Sequence, residues 1–303
     1  MAAMLLIYFG IGLAVMNLRQ SKPQQSCIFF KNPIQFLPKE YRIKAAKRKA
    51  GVMEGQTRIN KYLAEAGICS RREADKLIQA GLVKINGKRA DAGARVGAKD
   101  QITLREKPVA MRQEVHVLAY YKPIGVTCTK KDVHAKKTVT EELNYPIRVT
   151  YAGRLDRDSE GLLLMTNDGN LIDGLMRASN FHEKEYVVKV DKELTEDFLR
   201  KMAAGVYLKE LEQTTRACQV EAMGKYTFSI ILTQGLNRQI RRMCETLGYT
   251  VKALKRVRIA NIKLEGLKPG EYRRLKDGEL EKLYHQVEEK GEKKHYSRLD
   301  SGD

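Results

Sequence analysis

The side chains best suited to chemistry lie in two segments about 80 residues apart. The first is 151–169, YAGRLDRDSEGLLLMTNDG, where Asp156, Asp158 and Glu160 follow Arg154 in a polar loop bracketed by Gly153 and Gly161. A carboxylate so placed can act as a nucleophile or as a general acid or base. Local chemistry alone ranks Asp156 as an ordinary loop acid, because most loop aspartates cap turns or face water, and Asp158 reads the same way. The second segment is 234–248, QGLNRQIRRMCETLG, with Arg238, Arg241 and Arg242 on one face. An arginine near the start of that helix could pair with a carboxylate, keep it ionised and aim it, lowering its pKa by about one to three units. The alternative for a three-arginine face is phosphate binding.

These groups need elements to hold them. The 234–248 segment predicts a helix capped by Asn237, burying Ile240, Met243, Cys244 and Leu247 and closed by Gly248. Residues 162–166 read as a short apolar strand and 167–169 as a turn; 116–121 read as another strand, broken by Lys122-Pro123-Ile124-Gly125. Upstream, Ile59, Tyr62, Leu63 and Ala66 recur on a helical face ended by Gly67. A second helix starts at Ser70, whose S-x-x-E spacing to Glu73 is a capping box, and buries Ala74, Leu77 and Ile78. Val83-Lys84-Ile85 then turns at Asn86-Gly87, a hairpin signal, and 101–104 closes the unit. Arg71 and Arg72 occupy the first helical turn, where the macrodipole disfavours cations but free N–H groups favour phosphate. With Arg58, Lys61, Lys84, Lys88 and Arg89 they form a positive surface, which reads equally well as a phosphate clamp or as a solvated face.

The chain has 303 residues, enough for two modest domains, and 43% hydrophobic content can fill a core in each. A formal net charge of +19 makes a polyanion the natural partner. Five scattered cysteines, without a C-x-x-C pair or histidines at zinc spacing, point to neither disulfides nor structural zinc, and to a reducing compartment. The apolar run 5–16 is short for a membrane span and lacks a signal peptide's basic start, so no membrane association is expected. The expected organisation is an N-terminal extension over 1–56, outside the working protein and with Met53 as the native start; a first domain over 57–104; a linker over 105–114, marked by Pro108; a second domain over 115–285; and a charged tail over 286–303.

The order and spacing of Arg58-Ile59-Asn60-Lys61-Tyr62-Leu63, of Gly67-Ile68-Cys69-Ser70-Arg71-Arg72-Glu73-Ala74 and of Val83-Lys84-Ile85-Asn86-Gly87-Lys88 resemble the S4 RNA-binding domain. Gly153-Arg154-Leu155-Asp156, the block His182-Glu183-Lys184-Glu185-Tyr186 and Gly235-Leu236-Asn237-Arg238-Gln239-Ile240-Arg241-Arg242 are similar to the pseudouridine synthases that follow an S4 domain. The resemblance implies an α+β fold: a small S4 (αL) RNA-binding domain, then a catalytic domain built on a mixed, mainly antiparallel sheet with flanking helices. By the same likeness Asp156 matches the nucleophile, Arg154 the residue that helps displace a flipped uridine, Tyr186 the aromatic that stacks on the base, and Arg241 the arginine that pairs with the aspartate. Arg238 is the neighbouring candidate for that pairing and otherwise an RNA contact, and Ile259 matches the apolar residue beneath the ring. It further implies isomerisation of a uridine without metal or cofactor, in 23S ribosomal RNA or also a tRNA, by a cytoplasmic monomer with no obligate protein partner. Tyr121 departs from the family pattern, standing where an asparagine is common before Lys-Pro-x-Gly.

Two other readings compete. A noncatalytic ribosomal RNA-binding or assembly factor would keep the basic surfaces, but it gives no reason for Asp156, Tyr186 and Arg241 to stand together. A base-excising glycosidase would need a second carboxylate to manage water, a role open to Glu160.

Overall fold

The computed structural model describes residues 56–110, 114–129, 137–177 and 180–299, with side chains through 288. The expectations for residues 1–55, including the apolar run and Met53, for 111–113 of the linker and for the last residues of the tail lie outside the described residues.

The first domain follows the sequence closely. Helices α1 (Ile59–Glu65) and α2 (Arg71–Gln79) pack on strands β1 (Val83–Ile85), β2 (Lys88–Arg89), β3 (Ile102–Leu104) and β4 (Lys107–Pro108). Their core holds Ile59, Leu63, Ala74, Ile78, Val83 and Ile102. The Ser70 capping box is complete: Glu73 N donates to Ser70 Oγ, and Ser70 N donates to Glu73 Oε2 at 2.7 Å. Asn86 and Gly87 both take positive φ, 52° and 80°, the geometry a two-residue hairpin needs. One difference concerns the stretch read as a linker. Lys107–Pro108 adds a strand to the sheet, pairing with Thr103 and Leu104, and Pro108 is tolerated because β4 is an edge.

The second domain is built on one nine-stranded sheet. Its elements are β5 (Val117–Lys122), helix α3 (Val139–Leu143), β6 (Thr150–Ala152), β7 (Glu160–Thr166), helix α4 (Gly169–Met176), β8 (Lys184–Val190), helix α5 (Glu196–Ala204), β9 (Gln219–Gly224), β10 (Thr227–Leu232), helix α6 (Gln239–Thr246), β11 (Val251–Ile259), β12 (Ile262–Lys263), β13 (Tyr272–Arg274) and helix α7 (Asp277–Leu299). The strand order is β9-β10-β8-β11-β7-β5-β13, with β12 on β11 and β6 on β7. Every pairing is antiparallel except β11 with β7, so the sheet is mixed and mainly antiparallel.

The apolar run of β7 is explained by cover on both faces. Leu162 and Leu164 join Ala119, Leu171, Leu175, Leu283 and Tyr284 on one side, under α4 and α7; Leu163 and Met165 join Leu118, Tyr120, Val139 and Leu143 on the other, under α3. A third cluster, with Val188, Phe228, Ile230, Met243 and Cys244, packs α5 and α6 on the far half of the sheet. Two expectations need correction. Residues 167–169 are not a bare turn: Asp168 caps α4 by accepting from Asn170 N, and its other oxygen takes the Tyr284 hydroxyl at 2.9 Å. Two glycines inside α4 mask its helical pattern. The segment read as a charged tail is helical through Leu299, and Val287 is buried against Gly174, whose missing side chain makes the room.

In the parallel pairing of β7 with β11 the two backbones come unusually close. Gly161, at φ 107°, lies opposite Arg256, and a Cβ there would stand 2.3 Å from the Arg256 carbonyl oxygen and 2.7 Å from its nitrogen. Glycine is required by close backbone approach as well as by φ. Gly161→Ala is expected to cost about 3 kcal/mol or more, seen as a lower urea midpoint; an unchanged midpoint would show that the two strands have room to part.

Candidate active site

Asp156 sits on the loop between β6 and β7, with its side chain 38% exposed. The loop has no ladder of its own, so its carbonyls find donors elsewhere. Arg154 O accepts from Arg256 Nη1 at 3.4 Å, Arg157 O from Gly125 N at 2.8 Å, Asp158 O from Arg241 Nη2 at 2.9 Å and Ser159 O from Lys122 Nζ at 2.7 Å. Four donors from three segments thus grip successive parts of the loop, and the Asp156 carboxylate is left on its open side. Gly153, at φ 83°, starts the loop in a conformation that favours glycine, with the end of the Met176 side chain packed over it.

The arginines of α6 divide differently from the expectation. Arg241, matched by resemblance to the partner of Asp156, instead engages the next acid: its Nε lies 3.3 Å from Asp158 Oδ2, and Nη2 reaches Asp158 O and Ser159 Oγ. The guanidinium nearest Asp156 belongs to Arg238, at 3.6 Å, and it also forms two hydrogen bonds to the Asp158 carboxylate. The cause is local. Arg238, not Asn237, stands at the start of α6, in left-handed conformation at φ 50°, while the Asn237 side chain and carbonyl accept from Arg242. That backbone costs about 1–2 kcal/mol for a residue with a side chain of this size. Arg242 is further paired with Glu210 and takes no part at the loop.

Asp158, read from sequence as an ordinary loop acid, is therefore the hub. Burial pushes its carboxyl up, but the Arg238 hydrogen bond and the charges of Arg241 and Arg238 outweigh this and hold it below the usual carboxylate range. Its contribution to stability is present above the ordinary aspartate pKa of about 3.9 and is lost as pH falls through the lower folded value.

Two cations that sequence reasoning did not single out lie behind the loop. Lys122 is fully buried and also donates to Pro123 O at 2.8 Å; burial pulls its ammonium down to about 8, against the opposing pull of Cys128, Asp158 and Asp156. Arg256 is 2% exposed, donates through Nε to Leu162 O at 2.7 Å, and lies with its Cζ 6.0 Å from the centre of the Tyr186 ring. The sequence carried no signal for it, because Arg256 alternates with Lys252 and Arg258 on a face of β11 that reads as solvated. Tyr186 itself is partly exposed on β8, opposite Arg256 and beside a bulge at Glu185/Tyr186, a common device for re-aiming a side chain near a site. Arg154 is exposed. Ile259 is buried in the core with Ala152 and Leu264. Glu160 accepts from the Tyr121 hydroxyl at 3.0 Å and lies 3.9 Å from Lys255, which gives Tyr121 a partner and occupies the carboxylate a glycosidase would need.

On the first domain, Arg58, Arg71, Arg72 and Lys88 are exposed. Lys84 is paired with Glu106 at 2.7 Å, and Lys61 donates to Asn170 Oδ1 on α4 at 3.2 Å, so these two serve internal contacts. Arg72 and Arg154 both act on the Tyr151 phenol, lowering its pKa against the stronger upward push of burial. The start of α2 and the Asp156 loop therefore border one basic tract.

Residues 116–246 match the family described as RNA pseudouridylate synthase, and residues 57–102 match the S4 domain. The chain is 45% identical to the dual-specificity RNA pseudouridine synthase RluF of Escherichia coli (strain K12) over 237 residues, 78% of this chain and 81% of the relative. The chain belongs to the RNA pseudouridine synthase family. The synthase is also 39% identical to the ribosomal large subunit pseudouridine synthase B of Bacillus subtilis (strain 168), over 75% of this chain and 95% of the relative. A solved pseudouridylate synthase superposes with a TM-score of 0.56 at 30% identity, covering 75% of this chain and 99% of that one. The synthase is thus an isomerase acting on uridine in RNA. No helix among the described residues is long and apolar enough to cross a membrane.

Asp158→Asn should loosen Arg238 and Arg241 together. Single-turnover isomerisation is expected to slow about ten- to a hundred-fold through misplacement of the loop, with a small change in melting temperature because Asp158 and Arg238 are about half exposed. A wild-type rate would show that the arginines hold position without Asp158.

Proposed function

We propose that this synthase isomerises a uridine of 23S ribosomal RNA, and a tRNA uridine as a second target, with Asp156 as nucleophile. The observation that carries the reading is a carboxylate on an open loop whose backbone is clamped by four donors and whose nearest cation is Arg238. The substrate assignment draws on the relatives, one named for dual specificity and one for the large ribosomal subunit.

In this reading the S4 domain grips folded RNA by shape and backbone through Arg58, Arg71, Arg72 and Lys88, with Lys61 and Lys84 at the margin. Arg154 enters the space left by the displaced uridine, and Tyr186 stacks on the base, offsetting part of the few kcal/mol that unstacking costs. Asp156 attacks C1′ and the bond from C1′ to N1 breaks. The uracil turns within the site, C5 then attacks C1′ and frees the carboxylate, and the C5 proton is lost as N1 gains one. Arg238 sets a positive charge beside the Asp156 carboxylate and Arg241 fixes the loop behind it. The balance needs no redox change, metal or cosubstrate. A cytoplasmic monomer fits this role.

The assignment is tested with transcripts of 23S ribosomal RNA, 16S ribosomal RNA and tRNA tritiated at uridine C5. Release from 23S, and to a lesser extent tRNA, is expected, with pseudouridine mapped to one 23S position that is lost in a deletion strain. Release confined to 16S would overturn the substrate assignment.

A further inference from the structure

We propose that Phe181 and Arg216 form a stacking subsite for an unpaired base of the RNA substrate beside the target uridine. Phe181 is 49% exposed and sits at φ 49°, a conformation that glycine or asparagine adopts readily and a bulky ring does not. The chain holds it nonetheless: Asn180, buried beside it, donates through its backbone to Arg177 O and through Nδ2 to Gly174 O at 2.6 Å. Over one face of the ring lies the Arg216 guanidinium, its Cζ 4.3 Å from the centroid. Arg216 is exposed but its backbone is fixed, since its N–H donates to the buried Gln234 side chain at 3.1 Å and the preceding Thr215 is locked to Val206.

Chain connectivity keeps the pair near the site. Phe181 is five residues beyond Met176, which packs on the start of the Asp156 loop at Gly153, and five before Tyr186, a reach of about 17 Å at most in either direction. Gln234, which holds Arg216, precedes Arg238 by four residues, and Lys184, at the start of β8, pairs with Leu232 at the end of β10. An aromatic face backed by a guanidinium is the chemistry that takes an unstacked base, with the cation at hand for its phosphate. A base flanking the flipped uridine loses a stacking neighbour and would recover it here.

The proposal rests on the 23S reading above, and the test separates the two. The chain contains no tryptophan, so Phe181→Trp supplies its sole indole emission. Saturation with a 23S transcript is expected to quench that emission by about half or more, as base stacking does. Phe181→Asn, which suits the backbone and removes the ring, is expected to raise the Kd for the transcript about 5- to 100-fold. Unquenched emission at saturation, or wild-type affinity in Phe181→Asn, overturns the subsite while leaving wild-type tritium release intact. Absence of tritium release by the wild-type chain from both 23S and tRNA overturns the functional reading and the subsite with it.

Discussion

The Asp156 carboxylate has to be held still without the hydrogen bonds of a strand or helix, and its loop is held by its own carbonyls. Arg256, Lys122, Arg241 and the amide of Gly125 each take one. Three of these donors are cations, two of them buried, so the loop gains rigidity and positive potential together. Burying Lys122 and Arg256 is costly unless their protons are satisfied; the loop carbonyls of Ser159 and Arg154 accept one from each, and Pro123 O and Leu162 O accept one more from each. The Asp156 loop and the cations therefore depend on one another.

The rest of the sheet makes that mutual support possible. The β7–β11 contact at Gly161 brings Arg256 behind the loop and opposite Tyr186; the end of β5 delivers Lys122; α6, packed through Ile240, Met243 and Cys244, delivers Arg238 and Arg241. Residues 80 or more apart in sequence meet because strand register and helix packing bring their backbones within reach of an arginine side chain. The first domain adds reach, since the exposed arginines at the start of α2 border the same basic tract.

Much of the fold was legible because it obeys local rules. The Ser70 capping box, the Asn86-Gly87 turn and the apolar run of β7 each carry their structure in a few residues. Where the reading failed, the decisive term was tertiary. The start of α4 looked like a turn because Asp168 is a helix cap only when Leu171 and Leu175 have a core to enter. Arg241 and Arg238 could not be told apart because the left-handed residue that opens α6 leaves no mark in composition. Asp158 passed for an ordinary loop acid since both its partners come from a distant helix. Lys122 and Arg256 were overlooked because a buried cation is conspicuous only once burial is known.

Family membership carries the reaction, while the proposed role of Asp156 rests on its match to the family motif and on its place in this clamp. The direct measurement is tritium release from 23S RNA labelled at uridine C5, by Asp156→Asn beside the wild type under single-turnover conditions with RNA binding checked in parallel. The account predicts release at background with RNA affinity retained. Release at the wild-type rate would contradict it, and would move the chemistry to another group of the same loop.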